Sequence, residues 1–139
     1  MRSTDDVTLG VVPLVRAIDP VGYWKSEWEP MGKSVLNVGL IGYQFMGKAH
    51  SNAYRQVNRF FDLPIEVKMH TICGRTEPAV SEAAKTFGWE RYSLDWKAVV
   101  SDPEIDIVDI ATPGNAHCEM AIEAAKNGKI VFCEKPIGN

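Results

Sequence analysis

Between residues 35 and 134 short apolar runs alternate with amphipathic stretches, and few architectures accept that order. Residues 35–41 are rich in branched apolar side chains and closed by Gly42, the pattern of a buried strand. Met46, Ala49, Ala53, Val57 and Phe60 then recur at spacings of three or four, which predicts a helix with these residues on its apolar face. After a turn at residues 62–64, residues 65–73 read as a second strand, with Ile65, Val67, Met69, Thr71 and Cys73 on one face. A helix over about residues 78–87 follows, with Pro78 in its first turn and Gly88 past its end. Asp95 is placed to cap a short helix over residues 96–100, which Ser101-Asp102-Pro103 stops. Residues 105–111 form a third strand, residues 116–127 a helix with Gly128 at its C′ position, and residues 129–134 a fourth strand. Strands separated by helices through short connections pair in parallel with right-handed crossovers, so the expected fold is an open, doubly wound α/β sheet.

The chain has 139 residues, 15 of them Lys or Arg and 18 Asp or Glu, for a formal charge of −3. Without a block of basic residues, that balance argues against nucleic-acid binding. No apolar stretch approaches the roughly 18–20 residues that span a bilayer, and no membrane partner is expected. Residues 1–33 contain Pro13, Pro20, Gly22 and Pro30 and keep no helical or strand period. They are expected to be a tail, either disordered or an upstream extension of a chain that starts at Met31, leaving residues 34–139 as the domain. Asp5 and Asp6 stand where a secretory signal carries positive charge. Cys73, Cys118 and Cys133 are odd in number and form no CxxC pair, which reads as reduced, buried thiols in a cytoplasmic protein.

In open α/β sheets ligands bind beyond the carboxyl ends of the strands, and the informative residues fall there. Gly42-Tyr43-Gln44-Phe45-Met46-Gly47 is a G-x-G-x-x-G frame with Gln44 at the middle glycine position. Gly42 would make the tight turn and Gly47 would let helix and strand pack closely. Amides at the helix start, over Phe45 and Met46, would then hold a pyrophosphate, with Gln44 donating its side-chain amide. Read alone, the frame also fits a glycine-punctuated turn. After the second strand Arg75 stands where an NAD site usually has an acid, so it leans the cofactor toward NADP over NAD, with Glu77 still able to serve the ribose. After the third strand Thr112, Pro113 and the backbone of that turn are placed to line the nicotinamide half. Asn115 reads chiefly as a helix cap, and His117 as either a cofactor contact or a polar packing residue. Glu134-Lys135-Pro136 closes the fourth strand, where Lys135 can hydrogen-bond a substrate hydroxyl and share in proton transfer. His50 and His70 have no metal-ligand spacing and read as structural.

Taken in order, these pieces resemble the Gfo/Idh/MocA family of NAD(P)-dependent oxidoreductases. The matching stretches are Val38-Gly39-Leu40-Ile41-Gly42, Met46-Gly47-Lys48-Ala49-His50, Asp95-Trp96, Asp102-Pro103-Glu104-Ile105-Asp106, Ala111-Thr112-Pro113, His117-Cys118-Glu119 and Val131-Phe132-Cys133-Glu134-Lys135-Pro136. The resemblance covers roughly residues 35–139 and implies a Rossmann domain, with the family's C-terminal α/β domain absent from this chain. It further implies hydride transfer to or from a CH–OH group of a sugar, cyclitol or related substrate. Lys135 would orient that substrate, Glu134 would hold Lys135 in place, and the Lys135–Pro136 bond would be cis. Gln44 and Gly114 depart from the family's pattern, which has a small residue at the first position and often Asn or Pro at the second. Because the family's remaining catalytic Asp and His lie on the C-terminal domain, the 139 residues are expected to bind cofactor without turnover. A homo-oligomer, where one forms, would run through that domain. A dinucleotide-sensing regulatory module of the same fold is the alternative. A methyltransferase with a similar glycine loop is disfavoured, because Glu134-Lys135-Pro136 has no part in that chemistry.

Overall fold

The computed structural model describes residues 32–137, within a structural unit that begins at Gly32. The expected tail, as far as residue 31, and the reading of Met31 as a start lie outside the described residues. Five strands are present: β1 (Val35–Ile41), β2 (Glu66–Cys73), β3 (Arg91–Ser93), β4 (Ile107–Ile110) and β5 (Ile130–Cys133). They form one sheet in the order β3-β2-β1-β4-β5, and every pairing is parallel. Helices α1 (Phe45–Phe60), α2 (Glu77–Phe87), α3 (Trp96–Ser101) and α4 (His117–Lys126) connect them, so the α/β sheet is of the Rossmann type. A single 3₁₀ turn, Gly114–Ala116, precedes α4.

Both faces of the sheet are covered. Leu36, Val38, Leu40, Ile72 and Ile107 pack with Val80, Ala83, Ala84 and Trp89 on one face. Ile41, Cys73, Val108 and Ile110 pack with Val99, Val100, Met120 and Ala124 on the other. Strands buried on two sides read as unbroken apolar runs, which is why β1 and β4 stand out in the sequence.

Four local expectations need correction. The first is α1, where Ala49, Ala53 and Phe60 are exposed, Phe60 at 77%. The face turned to the sheet carries Gly47, His50, Ser51 and Tyr54 instead, a helical period built of polar and small residues. Its polarity follows from Asp109, a carboxylate in the middle of β4 that needs hydrogen-bond donors above it rather than methyl groups.

The second is β2. Val38 pairs with Met69 but Gly39 pairs with Thr71, so the strand carries an extra residue at His70. A bulge reverses the alternation beyond it. Val67, Met69 and Ile72 therefore share one face while Cys73 lies on the other. The third is Asn115, which sits inside the 3₁₀ turn and makes no capping hydrogen bond to it or to α4. The fourth concerns the cysteines: Cys73 is buried, its thiol pushed up to about 11 by burial, but Cys118 is exposed and Cys133 half-buried.

Candidate active site

All the strands point the same way, so the segments that follow β1, β2, β4 and β5 share one edge of the sheet. The turn after β1 is shaped by two contacts. Gly42 has φ +108°, and a Cβ there would lie 2.6 Å from the carbonyl oxygen of Ala111, the residue after β4. A Cβ on Gly47 would lie 2.0 Å from the carbonyl oxygen of Gly42. The first turn of α1 is thereby drawn against the end of β1.

The helix start has no side-chain cap, and the first amide to find an acceptor in it is that of Lys48, which donates to the Gln44 carbonyl at 2.8 Å. The amides of Phe45, Met46 and Gly47 precede that first helical bond and are set to receive an anion. Gln44 has φ −75°, an ordinary value for a residue with a Cβ, so the backbone does not demand glycine there. Its side chain is exposed, as is Phe45 at 83%, while Met46 is half-buried. An uncapped helix N-terminus, drawn against the strand end by two glycines that leave no room for a Cβ, fits a dinucleotide pyrophosphate.

After β2, Gly74 lies under the ring of Tyr43, where a Cβ would meet the ring at 2.2 Å. Tyr43 thus ties the glycine turn to the loop that carries Arg75, a contact that motif reading missed. Arg75 is exposed, and Glu77 accepts a 3.1 Å hydrogen bond from the Tyr92 hydroxyl.

After β4, Thr112 is half-buried with its hydroxyl 3.8 Å from Met120 Sδ, and Pro113 and Asn115 are exposed. His117 is only 1% exposed, with Nε2 2.6 Å from the Thr112 carbonyl oxygen and Nδ1 2.7 Å from that of Pro136. Neither ring nitrogen is left to offer a cofactor. Of the two readings open for it, packing is the one the geometry holds.

The turn after β5 begins where the Glu134 amide donates to the Ile110 carbonyl at 3.0 Å. Lys135 is exposed, and the Lys135–Pro136 bond is cis. Glu134 Oε1 stands 2.9 Å from His50 Nε2, and His50 Nδ1 stands 2.9 Å from Asp109 Oδ2. The Tyr54 hydroxyl donates to the same Asp109 oxygen at 2.8 Å. Burial alone would lower the His50 imidazole, but the Asp109 and Glu134 carboxylates outweigh it and raise it above its ordinary 6.5. Burial pushes the Asp109 carboxyl up, against the pull of Tyr54 and His50, and burial with Asp109 beside it pushes the Tyr54 phenol up. His50 therefore belongs with the strand-end turn, although its spacing marks it as structural. The usable signal was Asp109, an acid inside the apolar run Ile107-Val108-Asp109-Ile110, which must have a partner.

This arrangement has relatives. Over 103 residues the chain is 47% identical to levoglucosan dehydrogenase of Pseudarthrobacter phenanthrenivorans, covering 73% of this chain and 26% of the relative. Over 104 residues it is 34% identical to scyllo-inositol 2-dehydrogenase (NAD(+)) of Bacillus subtilis, covering 75% and 27%. A solved levoglucosan dehydrogenase in complex with NADH superposes with a TM-score of 0.73 at 47% identity, covering 75% of this chain and 28% of that one. The chain thus spans about a quarter of the length of these relatives. Residues 36–139 match the family described as "Oxidoreductase family, NAD-binding Rossmann fold", and the chain belongs to that Gfo/Idh/MocA oxidoreductase family.

Proposed function

We propose that the chain is the cofactor domain of a dehydrogenase acting on a CH–OH group of a sugar or cyclitol, with NADH as its dinucleotide. The observation that carries this reading is the close approach of Gly47 to the Gly42 carbonyl at an uncapped helix start. The NADH complex of the levoglucosan dehydrogenase relative supports it. The amides of Phe45, Met46 and Gly47 would take the pyrophosphate, with the exposed Gln44 amide beside them. Thr112, Pro113 and Asn115 would border the nicotinamide end, and Glu134 would anchor the turn that holds Lys135. When bound, the nicotinamide supplies a hydride acceptor or donor. Lys135 would hydrogen-bond the substrate hydroxyl through Nζ and share its proton. A cytoplasmic setting is part of the same proposal.

Arg75 carries a second reading. It is exposed at the end of β2 while Glu77 is engaged by Tyr92, so a ribose 2′-phosphate would meet a guanidinium there and NADPH would be taken as well.

Parallel calorimetric titrations of the 139-residue chain with NADH and NADPH test both readings. Saturable NADH binding is the expected result, and no binding of either dinucleotide overturns the assignment. The 139 residues by themselves are expected to show no steady-state oxidation of inositol or levoglucosan; turnover would overturn that part. Dinucleotide binding by a longer chain that turns over no polyol would favour the regulatory alternative.

A further inference from the structure

The sheet ladder secures the backbone as far as the Glu134 amide, and the next tie is at the Pro136 carbonyl. Lys135 lies between them, exposed, and among the described residues it makes no hydrogen bond of its own. The place of its backbone, from which the side chain projects, is therefore decided by its two neighbours. Each neighbour is held by a histidine from a different helix: Glu134 by His50 of α1 and Pro136 by His117 of α4. Each of these rings is in turn tied to β4 or to the turn after it, His50 through Asp109 and His117 through the Thr112 carbonyl. The Pro136 ring also lies against Gly114, where a Cβ would be 3.4 Å away, so the turns after β4 and β5 touch.

We infer that His50 and His117 are positioning residues for Lys135, bracketing the Glu134–Lys135–Pro136 turn from its two flanks. This rests on the reading of Lys135 as the group that meets substrate. The bracket itself stands on geometry alone.

The His50 arm is also sensitive to pH. The ring faces Asp109 of β4 and Glu134 after β5; Tyr54 of its own helix shares Asp109, and Cys133 of β5 lies near both carboxylates. A ring with both protons donates to both carboxylates, whereas a ring with one can serve only one. Asp109 keeps that proton, because its side chain is 3% exposed and has no water to turn to, while Glu134 is 22% exposed. Losing the second proton therefore releases Glu134 and one flank of the Lys135 turn.

The test uses the isotope-labelled 139-residue chain, with backbone order at the Lys135 amide measured by relaxation from pH 6 to pH 9.5. His50→Gln and His117→Gln are compared with the parent protein, and the amides of β1 and β4 report whether each variant is folded. The expected order parameter at Lys135 is about 0.85 at pH 6 and falls as the His50 ring loses its proton, followed by its own nitrogen shifts. His50→Gln should lower the order at Lys135 and remove its pH dependence while β1 and β4 stay rigid. His117→Gln should lower it at pH 6 and leave in place the fall that follows the His50 nitrogen shifts. Order at Lys135 that is unchanged in both variants, or flat across the His50 titration, overturns the inference. A separate NADH titration of the parent chain keeps the outcomes apart: no binding there sinks the functional reading and leaves the bracket to be judged by the relaxation data.

Discussion

Gly47 lies so close beneath the carbonyl of Gly42 that a Cβ on it would stand 2.0 Å from that oxygen. The neighbouring atom is backbone, so nothing can rotate aside. Gly47→Ala must push the first turn of α1 away from β1, at a cost of about 3 kcal/mol. Urea unfolding should show the loss as a lowered midpoint, and a midpoint equal to the parent's would show that the turn can yield to a methyl group without cost.

Ser51 sits one helical turn further on, 1% exposed, donating to the Gly47 carbonyl at 2.7 Å and accepting from the Trp89 indole at 3.0 Å. Ser51→Ala leaves the buried indole N–H of Trp89 without a partner, which costs about 1–3 kcal/mol. The thermal midpoint should fall accordingly. A variant as stable as the parent would mean that the indole finds another acceptor.

The pH dependence of stability follows from His50 and Asp109. The folded chain holds His50 above its ordinary 6.5, so its contribution is complete below 6.5 and is lost as pH rises through the raised value. Asp109, raised by burial, acts with the same sign from 3.8 upward. The exposed Lys68–Glu90 pair has little leverage. Urea unfolding at pH 6 and pH 9 should therefore give the lower stability at pH 9, and His50→Gln should shrink the difference. Equal stabilities in the parent protein would contradict the reading of the His50 network.

Arg75 predicts a selective effect. Loss of a charge-assisted contact to a 2′-phosphate weakens NADPH binding by about tenfold or more in Arg75→Ala and leaves NADH within a factor of about two. Equal losses for both dinucleotides would remove Arg75 from cofactor selection.

Much of this architecture is legible because two-sided burial forces apolar strands. β1 is predicted at Val35–Ile41, where it lies, and Gly88 stands past the end of α2 as expected, in a left-handed conformation. What escapes is structure whose cause lies in another segment. β3 is three residues long at the sheet edge and carries no apolar run, so only its pairing with β2 defines it. The bulge at His70 is a property of the β1–β2 register and leaves no mark on the β2 pattern. The polar inner face of α1 exists because Asp109 lies beneath it, 55 to 59 residues away in sequence. The same division runs through the site. The glycine turn and the Glu134-Lys135-Pro136 end are local and readable, whereas the histidines that hold that end acquire their roles only when α1, α4, β4 and β5 meet.

A dinucleotide received at the start of α1 would be seen in the amide spectrum of the labelled chain titrated with NADH. The amides of Phe45, Met46 and Gly47 should shift progressively and saturate together. NADH that leaves those three amides unmoved, while shifting others or none, would contradict the assignment.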